Sequence, residues 1–173
     1  MNNDLLAWVS VALVLCNLYL LSTSKITRLI RGVAVQGFLI GVLPILMPSP
    51  VAALHVVILV VLSVTVKGFF IPFYLLRAIR DVRQLREIHP LVGPSLSMFY
   101  GTVVSSAAFF ALHIAPILPT VFSPFHAATA SATAFIGLFL IVTSRNVLRQ
   151  IIGYIVLENS TFIFGISLAA FQP

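Results

Sequence analysis

Two side chains sit where a charge is expensive. Lys67 lies in an apolar run from Val51 to Leu76, ten residues before Arg77, and Glu158 lies in a second run from Val147 to Ala170, nine residues after Arg149. On a helix rising about 1.5 Å per residue, Lys67 is about 15 Å and Glu158 about 13 to 14 Å from those basic flanks. In a hydrocarbon layer about 30 Å thick both would be near the middle. A charge at that depth costs about 2.5 to 3.5 kcal/mol even on a lenient insertion scale, so each must face protein or water and have a partner. The signs are opposite. Proton transfer from one to the other would leave two neutral groups, and an arriving proton or a neighbouring charge could separate them again. Waters held by Tyr154, Asn159 and Thr161 could extend such an element. His55, one turn inside the outer end of the helix that bears Lys67, could help a proton reach the outer face. The plain alternative is a static ion pair that fixes helix register, and either residue could pair with another subunit.

Other chemistry is scarce. No CxxC, HExxH, glycine-rich phosphate loop or GxSxG elbow occurs, so no catalytic residue and no metal or redox-cofactor site is expected in this chain. His89, His113 and His126 fall at span ends, where an imidazole can stay wet. Cys16 is the single cysteine and has no partner for an internal disulfide. The triplet Asn159-Ser160-Thr161 matches a glycosylation acceptor but lies too deep in a span to be reached.

The elements that must position Lys67 and Glu158 follow from composition. Of 173 residues 60% are hydrophobic and 8% charged, with a mean hydropathy of +1.13. That excludes a soluble enzyme and predicts an all-α, polytopic transmembrane protein in a single membrane domain over residues 1–173. Runs divided by prolines or basic clusters give six spans: Leu5 to Ser22, Gly32 to Met47, Val51 to Leu76, Leu91 to Ile114, Ala127 to Thr143 and Val147 to Ala170. The runs are too long and too continuous for barrel strands. Met1-Asn2-Asn3-Asp4 lacks a basic leader, so the first run reads as a retained span.

The formal charge of +6 reads as topology rather than as nucleic-acid binding. Lys25, Arg28 and Arg31 fall in the first connection, Arg77, Arg80, Arg83 and Arg86 in the third, and Arg145 and Arg149 in the fifth, while the second and fourth carry none. Positive charge collects in cytoplasmic loops, so this alternation puts both termini outside. Arg77/Asp81 and Arg83/Glu87 are each four apart, which predicts a short helical extension suited to lipid anchoring or to docking a peripheral arm. Ala130, Thr133, Ala134 and Gly137 make a small-residue face for close helix packing, against this chain or another subunit.

The stretch from Ile141 to Asn159, and within it Ser-Arg-Asn-Val-Leu-Arg-Gln-Ile-Ile-Gly-Tyr-Ile-Val-Leu-Glu-Asn at 144–159, resembles the membrane component E (HyfE-like) of formate hydrogenlyase-type nickel-iron hydrogenases. Lys67-Gly68-Phe69-Phe70-Ile71-Pro72 is similar to that family's Lys-x4-Pro segment. The resemblance implies a four-span N-terminal part over 1–126 and partial NuoK-like helices over 127–173, similar to the small NuoK-like subunit of complex I and to its counterpart in multisubunit cation/proton antiporters. It matches Glu158 to the family's glutamate, Lys67 to its intramembrane lysine, and Arg145, Asn146, Arg149 and Gln150 to a cytoplasmic elbow that meets partners. In NuoK-like relatives the carboxylate comes two residues after the glycine, where this chain has Ile155, so Glu158 stands one turn further on nearly the same face. The family carries further helix beyond this span, whereas the sequence given stops at Pro173, either because the subunit is short or because the sequence is incomplete.

The function so implied is a non-catalytic subunit of a hydrogenase-type or complex I-like oxidoreductase in a prokaryotic cytoplasmic membrane, coupling electron transfer to proton or sodium translocation. The nickel-iron centre and iron-sulfur clusters would lie in partners: a hydrogenase-like peripheral arm beside antiporter-like and quinone-module-like membrane subunits. The alternatives are a subunit of a multisubunit cation/proton antiporter with no redox partner, and a structural scaffold in which Lys67 and Glu158 only set register.

Overall fold

The computed structural model describes residues 2–46, 53–81, 91–114 and 124–169, all of which belong to helices or their short flanks. Six continuous helices follow one another: α1 (Asn2–Ser22), α2 (Ile26–Leu46), α3 (residues 53–81), α4 (Pro94–Ile114), α5 (Pro124–Val142) and α6 (Val147–Ala169). No strand occurs among the described residues. Four of the helices, α1, α2, α3 and α5, are long and apolar enough to cross a membrane. The other two have 21 and 23 residues but carry more polar side chains.

Local chemistry sets the ends. Pro94 and Pro124 open α4 and α5, where a missing N–H costs nothing and the fixed φ suits the first turn. The amide of Leu148 donates to Asn146 Oδ1 at 2.9 Å, so Asn146 caps α6. The second helix begins six residues before the Gly32 expected from hydropathy. Ile26, Leu29 and Ile30 are buried while Thr27, Arg28 and Arg31 are exposed, an amphipathic spacing that carries the helix through the charges. The first connection is therefore only residues 23–25, and Arg28 and Arg31 stand on α2 rather than in a loop. The predicted helical extension past Leu76 holds as far as Asp81. Arg83, Arg86, Glu87 and His89 lie outside the described residues.

Helix α3 is not regular. Two α-helical pieces, Ala53–Ser63 and Ile71–Asp81, are joined by a π-helical turn, Val64–Phe70, closed by Ile71 N–H donating to Val66 O. Pro72 supplies the cause: it has no N–H to donate, and its ring crowds the carbonyl of Gly68, so the preceding turn widens. The buried stripe of α3 passes through Val60, Ser63, Lys67, Pro72 and Ile79 and lies on α2.

The interior has two apolar clusters. One joins Leu20, Leu21, Leu29, Ile30, Val33, Ile136, Leu140, Ile152 and Val156. The other joins Leu6, Leu13, Ile40, Leu43, Ala130 and Ile163. Along α1, α2, α5 and α6 the gap between them is held by one polar residue each: Asn17, Gln36, Thr133 and Asn159. All four are fully enclosed.

The small-residue face expected on α5 is internal. A Cβ on Gly137 would come within 2.7 Å of Leu157 N, and one on Gly153 within 2.9 Å of Gly137 O, so α5 and α6 touch backbone to backbone. A similar approach seats α3 on α2, where a Cβ on Gly37 would lie 2.8 Å from Lys67 O.

Candidate functional site

The site is assembled halfway along the helices, in the layer between the two apolar clusters. Lys67 projects from the π-helical turn, whose extra residue gives its side chain a direction that a regular α-turn would not. Helices α3 and α6 both pack on α2, and Lys67 reaches past α2 to α6. Its Nζ is 2.8 Å from Glu158 Oε1, donates to Asn159 Oδ1 at 3.1 Å, and lies 4.5 Å from the centre of the Phe162 ring. These contacts use all three directions of an ammonium: a carboxylate, an amide oxygen and the negative face of an aromatic ring. The lysine and the glutamate meet within one chain, which spacing alone had left open.

The two partners differ in surroundings. The Lys67 side chain is 9% exposed and that of Glu158 45%. Glu158 shares an outward stripe of α6 with Val147, Ile151, Tyr154, Thr161 and Gly165. Among the described residues no second hydrogen bond reaches its carboxylate.

From Asn159 the polar contacts run on through the layer. Asn159 Nδ2 donates to Gln36 Oε1 at 3.5 Å, the slackest link; Gln36 Nε2 donates to Asn17 Oδ1 at 2.9 Å; Asn17 Nδ2 donates to Thr133 Oγ1 at 2.8 Å. Thr133 in turn gives its hydroxyl hydrogen to Thr129 O at 2.7 Å, within its own helix. Five helices are thereby joined by side chains that would each be costly to bury alone.

Gln36, Asn17 and Thr133 were not singled out by sequence as members of a site. A partial signal for them existed: Gln36 and Asn17 are isolated amides within apolar stretches, Thr133 lies midway along a helix that also carries Thr129 and Ser131, and polar groups buried in a bundle seek one another.

Of the residues expected to handle protons, the structure brings Lys67, Glu158 and Asn159 together. Tyr154 is exposed on the outward face of α6, and the hydroxyl of exposed Thr161 turns back to Leu157 O at 3.4 Å. His55 is exposed near the start of α3, twelve residues from Lys67. His126, expected at a wet span end, is instead buried at 6% exposure, because it faces α1. Its Nδ1 is 3.1 Å from Ser10 Oγ, whose hydroxyl also lies 3.0 Å from Leu6 O. The side chain of His113 lies outside the described residues.

The expected elbow is at the other end of α6. Asn146 and Gln150 build it: beside the Asn146 cap, Gln150 Nε2 donates to Ser144 O at 2.9 Å. Arg145 is exposed. Arg149 is 1% exposed, and among the described residues its Nε and Nη1 have no hydrogen-bond partner.

Among the described residues no three His, Cys, Asp or Glu side chains gather to hold a metal ion. An apolar cavity of about 490 Å³ between α4 and α5, lined by Tyr100, Val104, Ala107, Ala111, Ser131 and Phe135, contains no charged group. What the arrangement offers chemically is therefore a charge pair with one enclosed and one open member. No protein-family model, curated protein or solved structure matches the chain.

Proposed function

We propose that the chain is a non-catalytic membrane subunit that couples electron transfer in a hydrogenase-type or complex I-like assembly to translocation of protons or sodium ions. In this reading all six helices span a prokaryotic cytoplasmic membrane, both termini are outside, and Arg77, Arg80 and Arg145 mark the cytoplasmic side. The metals and clusters belong to partner subunits. The carrying observation is the 2.8 Å Lys67–Glu158 contact, with its lysine enclosed and its carboxylate half exposed. A pair meant only to hold register is best closed on both sides, whereas a carboxylate that exchanges a proton needs one side open. Arg149, enclosed with two donors unused among the described residues, supports a further contact at the elbow with an acidic group of a partner.

The test is Glu158→Gln in the reconstituted complex, with subunit stoichiometry, electron turnover and ion gradient measured together. The expected result is normal assembly, retained electron transfer and loss of the gradient. A normal gradient in that variant ends the coupling reading.

The scaffold reading has its own support, because the polar chain from Asn159 to Thr133 ties four helices through buried hydrogen bonds. It expects Glu158→Gln or Lys67→Met to reduce assembly in step with activity. The antiporter-subunit reading shares the site and differs only in having no redox partner, which co-purifying subunits would reveal.

A further inference from the structure

At the elbow end of the bundle the charges are unbalanced. Helices α2 and α6 run parallel there: Leu29, Ile30 and Val33 share one apolar cluster with Ile152 and Val156, Gln36 meets Asn159, and Ile40 shares the other cluster with Ile163. Ten residues back from Gln36 and Asn159 stand Ile26 and Arg149, so the first turns of the two helices lie side by side. Neither first turn contains an acid. Lys25 caps α2 with its carbonyl, which accepts from the amides of Arg28 and Leu29, and a lysine side chain has no oxygen to offer the amides before them. Two positive helix ends are thus surrounded by Lys25, Arg28, Arg31, Arg145 and Arg149. The first four of these side chains are exposed. Arg149 is the exception, 1% exposed and with Nε and Nη1 unpartnered among the described residues.

Arg149 stands seven residues, about two turns, before the enclosed Val156 and so on nearly the same inward face. A helical side chain leans toward the N-terminus of its helix, which carries the guanidinium back toward the two first turns. Thr23, in the connection 23–25 that leads into α2, is 6% exposed, and its Oγ1 is likewise unpartnered among the described residues. Of the four acids of the chain, Asp4 is at the opposite end of α1 and Glu158 is nine residues up α6, about 13 to 14 Å away. The side chains of Asp81 and Glu87 lie outside the described residues. An enclosed cation and an enclosed hydroxyl with donors unspent, beside two positive helix ends, call for a negative charge that water does not supply. We propose that Arg149, Thr23 and the first turns of α2 and α6 form a binding site for one small monovalent anion, of carboxylate or halide size. A lipid phosphate, tied on both sides to bulky groups, does not pass to a side chain so enclosed. The inference goes beyond the partner contact proposed for the elbow, because the chain builds the site by itself and in isolation a free anion fills it. In an assembly the carboxylate of a partner's side chain offers the same chemistry.

The full chain in nanodiscs of zwitterionic lipid, labelled with nitrogen-15 in arginine, reports the site through the Arg149 Nε–H resonance, which Arg149→Lys identifies by its loss. Sodium chloride and sodium acetate are titrated separately, at an ionic strength held constant with gluconate, an anion too large to enter. The expected result is a saturable displacement of that resonance by chloride or acetate, and a rise in the unfolding midpoint over the same range that Arg149→Gln loses. Thr23→Val removes one donor without adding bulk and is expected to weaken binding about tenfold. An Arg149 resonance unmoved by both anions overturns the inference, and so does an unchanged affinity in Thr23→Val. A displacement produced by Asp81→Asn or Glu87→Gln in gluconate alone also overturns it, since the chain would then supply its own counter-charge. The assembled complex separates the two sources, and either result there upholds the site: a resonance already displaced in gluconate and insensitive to acetate marks a partner's carboxylate, and one that still titrates marks a free anion. None of these outcomes depends on the gradient measured in Glu158→Gln, so the coupling reading and the anion site stand or fall separately.

Discussion

Helices α3 and α5 are both strongly apolar, yet 22% of the span in α3 is buried against the rest of the chain and 56% of that in α5. Helix α5 is gripped by α6 through Gly137 and Gly153 and contributes Thr133 to the polar layer. Helix α3 touches α2 along one stripe and turns Val57, Leu62, Phe69, Phe73 and Tyr74 outward. In water such a difference would be written in the sequence as a hydrophobic face. In a bilayer the outward face is as apolar as the inward one, and what separates the two helices is residue size and polarity: small and hydroxyl-bearing where protein meets protein, large and aromatic where it does not.

The contrast can be broken most severely at α5. Gly137→Leu places a side chain against the backbone of Leu157 and is expected to destabilise the fold by about 3 kcal/mol, measured by denaturant unfolding in micelles. Asn17→Leu is the intermediate case. It strands the nitrogen of Gln36 and removes the donor to Thr133 without adding bulk, and should cost about 1 to 2 kcal/mol in the same assay. On α3, Phe73 is 60% exposed, and Phe73→Leu should change stability by less than about 0.5 kcal/mol. A loss at Phe73 as large as at Asn17 would mean that the outward face of α3 is packed against something in the assay.

The same physics explains what could be read in advance. The segments themselves were legible, because twenty-residue apolar runs with proline breaks admit few alternatives, and the match in depth of Lys67 and Glu158 followed from counting residues to the nearest arginine. The start of α2 was not, since Arg28 and Arg31 looked like a loop until their spacing on a helix with Ile26, Leu29 and Ile30 was taken into account. Direction was least legible. Tyr154 stands four residues from Glu158 on the same face, but nothing in an all-apolar helix says that this face points outward. His126 was misplaced for a related reason: a histidine at the end of a span was read by its position along the helix, whereas its orientation toward Ser10 decides its burial.

One residue in α3 has a wider reach than its neighbours. Successive buried positions run Val60, Ser63, Lys67, then Pro72 and Ile79, and the step of five between Lys67 and Pro72 exceeds the three or four of a regular helix. The π-helical turn is thus a phase correction worth about 100°, the rotation of a single residue. The helix is registered to α2 at two places, by Gly41 against Val64 where the π-helical turn begins and by Ile79 in the apolar cluster beyond it. A chain one residue shorter in this turn would have to choose between seating Ile79 and aiming Lys67 at Glu158. The length of the segment is therefore as much a part of the site as the lysine it carries.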